Sequence, residues 1–262
     1  MMRFTEKVVL ITGGNSGIGL AIAERFAREG AHMILVGRDP GKGSAAVAKI
    51  KDLGAESEFL QIDLSSEAAV RDAVGQLGKL DVLVNNAGLG TRRTAVNPDD
   101  TPGIRWDRWR GANLDATYYM TAYCLPLLKK SGGNVINISS TAAMHGNWGL
   151  YGVSKAGVEA LTRSFATEAA PVRVNAISPG WISTDATVHA SGNADGSWEL
   201  PPSLLGRVGT GAEIAGAVTF LASEDASFVT GQTLIVDGGL TTMDFPSRTL
   251  LNDVGNDLFS GG

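Results

Sequence analysis

Short apolar runs punctuate this chain at residues 8–11, 33–36, 59–62, 80–84, 134–138, 172–177 and 233–236. They are rich in Val, Ile and Leu and too short for core helices. Each therefore reads as a strand, and the unbroken runs at 8–11 and 33–36 suit strands covered on both faces. Between them the spacing changes. Leu20, Ile22, Ala23, Phe26 and Ala27 recur at helical intervals up to Gly30. A second helix is predicted over 42–53, closed by Gly54, and a third after Ser65 or Ser66, with Glu67 in its first turn. Residues 89–105 are polar, carry Pro98 and Pro102, and read as a loop. A long helix over 106–130 follows, its last turns loosened by Pro126. Further helices are predicted over 151–169 and 213–222.

Strands alternating with helices at this spacing predict an α/β protein. The expectation is a single-domain Rossmann fold over 1–262, a doubly wound parallel sheet of about seven strands with helices on both faces. A polar insert at about 185–205 is expected to form a substrate lid, and residues 240–262 a C-terminal extension. Phe245, Leu250, Leu251, Val254, Leu258 and Phe259 make that extension too apolar to stay solvated, so it is expected to pack on folded protein.

Composition narrows the function classes. With 262 residues, 44% of them hydrophobic, the chain can bury a large core. The net charge of −5 and the lack of a basic block give no support for nucleic-acid binding. A single cysteine, Cys124, allows no internal disulfide. His32, His145 and His189 have no ligand spacing, so no metal site is expected. The first apolar run is too short for a membrane span or secretory signal, which leads us to expect a cytoplasmic protein with no membrane association.

Candidate chemistry collects at the ends of the predicted strands. Thr12-Gly13-Gly14-Asn15-Ser16-Gly17-Ile18-Gly19 lies between a strand and a helix. That is the setting of a phosphate site, where glycines admit a close backbone approach and helix N–H groups face the anion. Gly13, Asp63 and Asn86 all fall at strand ends, where ligands bind in such sheets. Tyr151 and Lys155 are spaced to share one face of a helix. An ammonium beside a phenol lowers its pKa, so the pair reads as a proton-transfer device. His145 and Trp148 lie just before it, as pocket-lining or packing residues.

Taken in order, these segments resemble the short-chain dehydrogenase/reductase family over about residues 5–240. The resemblance rests on Thr12-Gly13-x-x-x-Gly17-x-Gly19, Asn85-Asn86-Ala87-Gly88, the set Asn113, Ser140, Tyr151 and Lys155, Arg173-Val174-Asn175-x-Ile177-x-Pro179-Gly180, and Gly231-Gln232-x-Leu234-x-Val236-Asp237-Gly238-Gly239. It implies a nicotinamide-dependent oxidoreductase acting on a small carbonyl or alcohol, with a non-catalytic dinucleotide sensor as the alternative. Tyr151 would be the general acid or base, Lys155 would lower its pKa and bind the ribose, Ser140 would steady the substrate oxygen, and Asn113 would hold a water. Ser139 is the fallback for Ser140, because the segment from Ser140 to Tyr151 is slightly short for the family. Cofactor contacts are implied for Gly13, Asn15, Ser16, Gly17, Ile18, Gly19, Arg38, Asp63, Leu64, Asn86, Ala87, Gly88, Tyr151, Lys155, Pro179, Gly180, Ile182 and Thr184. A homo-oligomer, tetramer or dimer, is implied as well.

The end of the second strand bears on the cofactor. An acidic residue there would bind a ribose 2′-OH and repel a 2′-phosphate. The chain instead has Gly37, followed by Arg38 and Asp39. NADP(H) is therefore expected to be preferred, with NAD(H) the alternative.

Overall fold

The computed structural model describes residues 2–90, 97, 99–184 and 203–243. Most of the expected lid and nearly all of the extension, including the apolar residues from Phe245 onward, lie outside the described residues. The strands are β1 (Val8–Thr12), β2 (His32–Gly37), β3 (Ser57–Gln61), β4 (Val82–Asn85), β5 (Asn134–Ile138), β6 (Arg173–Pro179) and, later, β9 (Thr233–Val236). They form one seven-stranded sheet in the order β3-β2-β1-β4-β5-β6-β9, and every neighbouring pair is parallel. The remaining strands, β7 (Ile182–Ser183) and β8 (Gly209–Thr210), form a separate short parallel pair that no apolar run announced.

Each strand sends alternate residues to opposite faces, and two cores result. Val9 and Ile11 of β1, with Met33 and Leu35 of β2, pack with α1 (Gly17–Arg28), α2 (Pro40–Asp52) and α7 (Gly211–Ala222). Leu10, Ile34 and Val36 point the other way, toward α3 (Glu67–Val74), α5 (Ala116–Ser131) and α6 (Gly149–Glu168). Residues such as Phe26 and Met120 are fully buried. Each such side chain contributes about 1.5–3 kcal/mol relative to exposure.

The stretch read as a loop before the long helix contains its first turns. α4 (Pro102–Arg110) starts at Pro102, with the Thr101 side chain accepting from Ile104 N. Proline at the first helical position gives up an N–H that has no helical partner there, so Pro102 starts the helix and does not forbid it. The helix also carries a π turn, Gly111–Asp115, between α4 and α5. Pro126 sits inside α5, which nevertheless continues to Ser131 and stops at Gly132, a left-handed residue. Among the described residues no helix is long and apolar enough to cross a membrane.

Candidate active site

The carboxyl ends of the strands bring the expected site residues to one edge of the sheet. After β1 the chain turns at Gly13, whose N–H donates to Val36 O at 2.7 Å. Gly13 and Gly17 both have positive φ, 65° and 54°. A Cβ on Gly14 would lie 2.9 Å from Leu35 Cδ2, and one on Gly19 would overlap the Gly13 carbonyl and the Asn86 side chain. Gly13, Gly14 and Gly19 have no room for a side chain, because Asn86 and Ala87, Leu35 with Ile11, and the Gly13 carbonyl respectively close onto them. Asn86 Nδ2 donates to Thr12 O at 2.9 Å, and the Asn86 and Ala87 N–H groups donate to Thr12 Oγ1 at 2.9 and 3.0 Å. The Thr12 hydroxyl thus joins the two loops.

Ser16 is the N-cap of α1 but makes no side-chain cap bond, and no acidic residue occupies the first turn. By contrast Asp39, Ser66, Thr101 and Thr210 cap α2, α3, α4 and α7 with their side chains. The α1 amides thus stay open to an anion at the glycine turn. Ile18 packs against the core beneath them. A Cβ on Gly17 would come 3.7 Å from Thr184 Cγ2, so the segment after β6 reaches the same turn. Ile182 is buried, and Gly180 lies against Asp237, leaving no room for a side chain there. The turn, the free helix end and the bare glycine surfaces suit a dinucleotide.

At the end of β2, Arg38 is exposed. Asp39, next to it, accepts from Lys42 N at 3.0 Å as the α2 cap. Asp63 accepts from Ser65 N and Oγ, and these bonds, with help from the Arg38 charge, hold its carboxyl below the usual range. Leu64 is buried beside it in the second core. A Cβ on Gly37 would lie 2.7 Å from Asn15 Nδ2, so Asn15 fills the space an acidic residue would need.

The proton-handling residues lie at the other half of the edge. Tyr151 is in the first turn of α6, its ring between Trp109 and Trp148, with centroid separations of 6.1 and 6.5 Å. Trp109 is buried and also touches Tyr151. Ser140 is hydrogen-bonded to the Tyr151 side chain and accepts from Ala142 N at 3.1 Å. The Ser139 hydroxyl turns the other way, to Lys155 O and Glu159 Oε1 at 3.2 and 2.9 Å. Of the two serines, Ser140 is the one that meets the Tyr151 side chain. Burial pushes the Tyr151 phenol up, and the Ser140 hydrogen bond opposes it. Burial pulls Lys155 down to about 8, and its Nζ donates to Ile138 O at 2.8 Å.

Asn113 is fully buried in the π turn. Its Oδ1 accepts from Leu89 N and its Nδ2 donates to Trp109 O, both at 3.1 Å. A Cβ on Gly88 would lie 2.6 Å from Asn113 Oδ1 and 3.6 Å from Lys155 Nζ, so glycine alone lets these two groups share one corner. Trp181, which follows Pro179-Gly180 directly, escaped the sequence reading. Its ring centroid is 5.7 Å from that of Trp148. Among the described residues no group of three His, Cys, Asp or Glu side chains is placed to hold a metal.

Comparison with known proteins points the same way. A family model described as enoyl-(acyl carrier protein) reductase matches residues 13–241. A cyclopentanol dehydrogenase from Comamonas sp. is 38% identical over 251 residues, covering 92% of this chain and 99% of the relative. A 3-oxoacyl-acyl-carrier-protein reductase from Chlamydia pneumoniae is 36% identical over 244 residues, covering 90% and 97%. Among solved structures, L-sorbose reductase from Gluconobacter frateurii in complex with NADPH and L-sorbose superposes with a TM-score of 0.83 at 30% identity, covering 93% of this chain and 99% of that one.

Proposed function

This chain belongs to the short-chain dehydrogenase/reductase family, and from that premise we propose that it interconverts a carbonyl and a secondary alcohol with Tyr151 as the acid and base. It is a dinucleotide-dependent oxidoreductase. The observation that carries the finer reading is the meeting of Tyr151, Ser140, Lys155 and Asn113 beside the glycine turn, on one edge of the sheet.

A nicotinamide dinucleotide, when bound, supplies or accepts the hydride. The residues to hold it are those of the turn Gly13–Gly19, Asn86 to Gly88, Lys155, and the segment from Pro179 to Thr184. Arg38 is the partner for a 2′-phosphate, so NADP(H) is the preferred form. Its guanidinium is exposed, and one oxygen of the neighbouring Asp39 carboxylate is engaged as the α2 cap.

Tyr151 gives its proton to the substrate oxygen in reduction and takes it back in oxidation. Burial keeps the phenol protonated at neutral pH, which suits the acid role. Ser140 donates a hydrogen bond to the same oxygen as charge develops there. Lys155 carries the replacement proton, since a pKa near 8 leaves it able to gain and lose one near neutrality. Asn113 Oδ1 has a second lone pair beyond its bond from Leu89 N, and this lone pair holds the water that links Lys155 to solvent.

The protein assembles with copies of itself in this reading. An apolar groove between α5 and α6, lined by Leu114, Tyr118, Gly157, Ala160 and Leu161, supports an isologous contact.

The test of the function is absorbance of the reduced nicotinamide near 340 nm, followed with purified protein against a panel of ketones and alcohols. Turnover of at least one of them is expected. Tight dinucleotide binding with no turnover on a broad panel would reject the catalytic reading in favour of a sensor.

A further inference from the structure

Three consecutive residues where β5 ends each take hold of α6. The Ile138 carbonyl accepts from Lys155 Nζ at 2.8 Å. The Ser139 hydroxyl stands 3.2 Å from the Lys155 carbonyl oxygen and 2.9 Å from Glu159 Oε1. Ser140 is hydrogen-bonded to the Tyr151 side chain. The outer two contacts hold the proton-handling groups themselves. The middle one holds neither side chain, yet it lies between them and fixes the same helix.

Glu159 stands in a stripe of α6 that is otherwise buried. Lys155, Val158, Thr162 and Phe165 are buried there, and Glu159 is half-buried among them. Positions 155, 159 and 162 recur at helical spacing, so they share one face. Asn137 and Ser139, two apart on extended backbone, point to that face together. Asn137 Nδ2 donates to Thr162 Oγ1 at 2.9 Å, and Ser139 meets Glu159 one turn back along the helix. A carboxylate turned toward a sheet gives up hydration and needs a hydrogen bond in return. A serine hydroxyl has one proton to donate, and the carboxylate is the nearer and stronger acceptor. An apolar residue at 159 carries no such cost. Apolar contact is non-directional, however, and does not fix where α6 sits along the strand.

We propose that Glu159, acting through Ser139, is a positioning residue that sets α6 against β5 so that Tyr151 meets Ser140 and Lys155 meets Ile138. This deepens the catalytic reading of Tyr151 and rests on it for the effect on rate alone. Lys155 faces Tyr151 on its own helix, Ile138 on β5, Gly88 in the loop after β4 and Asn113 in the π turn, with Glu159 one turn further along α6. Tyr151 and Glu159 are the titratable groups among these. Glu159 is engaged with Ser139, and Lys155 is governed by burial, so the latch acts on Lys155 by keeping α6 closed on the strand. Loosening it admits water to Nζ, and a hydrated lysine returns toward its ordinary 10.5.

The experiment compares the full chain with Ser139→Ala, Glu159→Ala, Glu159→Gln and the double alanine variant. Two readouts are taken. The first is kcat across pH with a ketone that the wild type turns over. The second is the titration of Lys155, followed by the carbon-13 shift of its Cε and assigned by its loss in Lys155→Met, which needs no turnover. Each single alanine variant should lower kcat by about ten- to a hundredfold, the cost of a small misplacement of reacting groups. Each should also raise the Lys155 midpoint by about one pH unit. The double variant should do no worse than the singles, since all three remove one contact. Glu159→Gln keeps an oxygen that accepts from Ser139 and should stay within about threefold of wild type. Should Glu159→Ala fail to fold, Ser139→Ala, which loses a single oxygen, carries the comparison. An unchanged Lys155 midpoint or an unchanged kcat in Ser139→Ala overturns the proposal, as does a Glu159→Gln variant as impaired as Ser139→Ala. A shifted midpoint in a protein that turns over no ketone keeps the positioning role and rejects the catalytic reading instead.

Discussion

Lys155 Nζ stands 5.9 Å from the centre of the Tyr151 ring, while its hydrogen bond goes to the Ile138 carbonyl at 2.8 Å. The two side chains share a helix face, yet each has its protonation set by its own burial. The phenol is pushed up and the ammonium is pulled down to about 8. The pair thus starts with an acid that keeps its proton and a lysine that exchanges one near neutral pH.

Carbonyl reduction should therefore fall as pH rises through about 8, where Lys155 loses the proton it passes on. Alcohol oxidation should rise over the same interval. Profiles of kcat/KM in both directions test this, and Lys155→Met should abolish the shared inflection along with most of the activity. The stability effect has the matching sign. Folding disfavours the charged lysine, so its cost is greatest below pH 8 and is relieved as pH climbs from about 8 toward the ordinary 10.5.

Tyr151→Phe should keep the fold, because the ring still packs between Trp109 and Trp148. Turnover should drop by about a hundredfold to ten-thousandfold, the usual share of general acid–base catalysis. Steady-state rates with circular dichroism on the same sample check it. A variant retaining more than about half the wild-type rate rules out Tyr151 as the proton donor.

Arg38→Ala should weaken NADP(H) by about ten- to a hundredfold, the worth of a hydrogen bond to a charged group, with little change for NAD(H). Asn15 adds a second condition. Because its Nδ2 would lie 2.7 Å from a Cβ on Gly37, Gly37→Asp alone should impair both cofactors. Adding Asn15→Gly should then recover NAD(H). Titration of both cofactors into the three variants decides the matter, and equal losses of the two on Arg38→Ala would defeat the assignment.

Ala160 is exposed on the α5–α6 groove, so Ala160→Arg should leave the protomer folded and lower the assembly state. Light scattering at matched concentration measures this. A wild type that is already monomeric at micromolar concentration would end the proposal.

Asn137 ties the sheet to α6 and is fully buried. It accepts from Asn85 Nδ2 and donates to Thr162 Oγ1, each at 2.9 Å. Asn137→Ala leaves both partners short of a bond, at about 1–3 kcal/mol for each. Chemical denaturation should show a loss of about 2–6 kcal/mol.

The sequence by itself determined the alternation of strands and helices, the glycine turn after β1, and the residue types at the strand ends. These depend on periods of 2 and 3.6 and on conformations that glycine alone adopts freely, all of which are local properties. It also ordered the chain well enough to show the family, because five motifs had to fall in sequence. Tertiary structure decided which partner each polar side chain took. Ser139 and Ser140 are neighbours of one type, and only the packing of α6 on β5 turns the first to Glu159 and the second to Tyr151. Asp39 stood next to Arg38 in the chain but caps α2, a choice made by the direction in which the helix leaves the sheet. Trp148 and Trp181 are far apart in sequence and 5.7 Å apart in space, because one follows β5 and the other β6, adjacent strands whose ends open on the same crevice. The pKa values of Tyr151 and Lys155 followed the same rule: sequence put the two groups on one helix face, and burial against the rest of the fold set where each loses its proton.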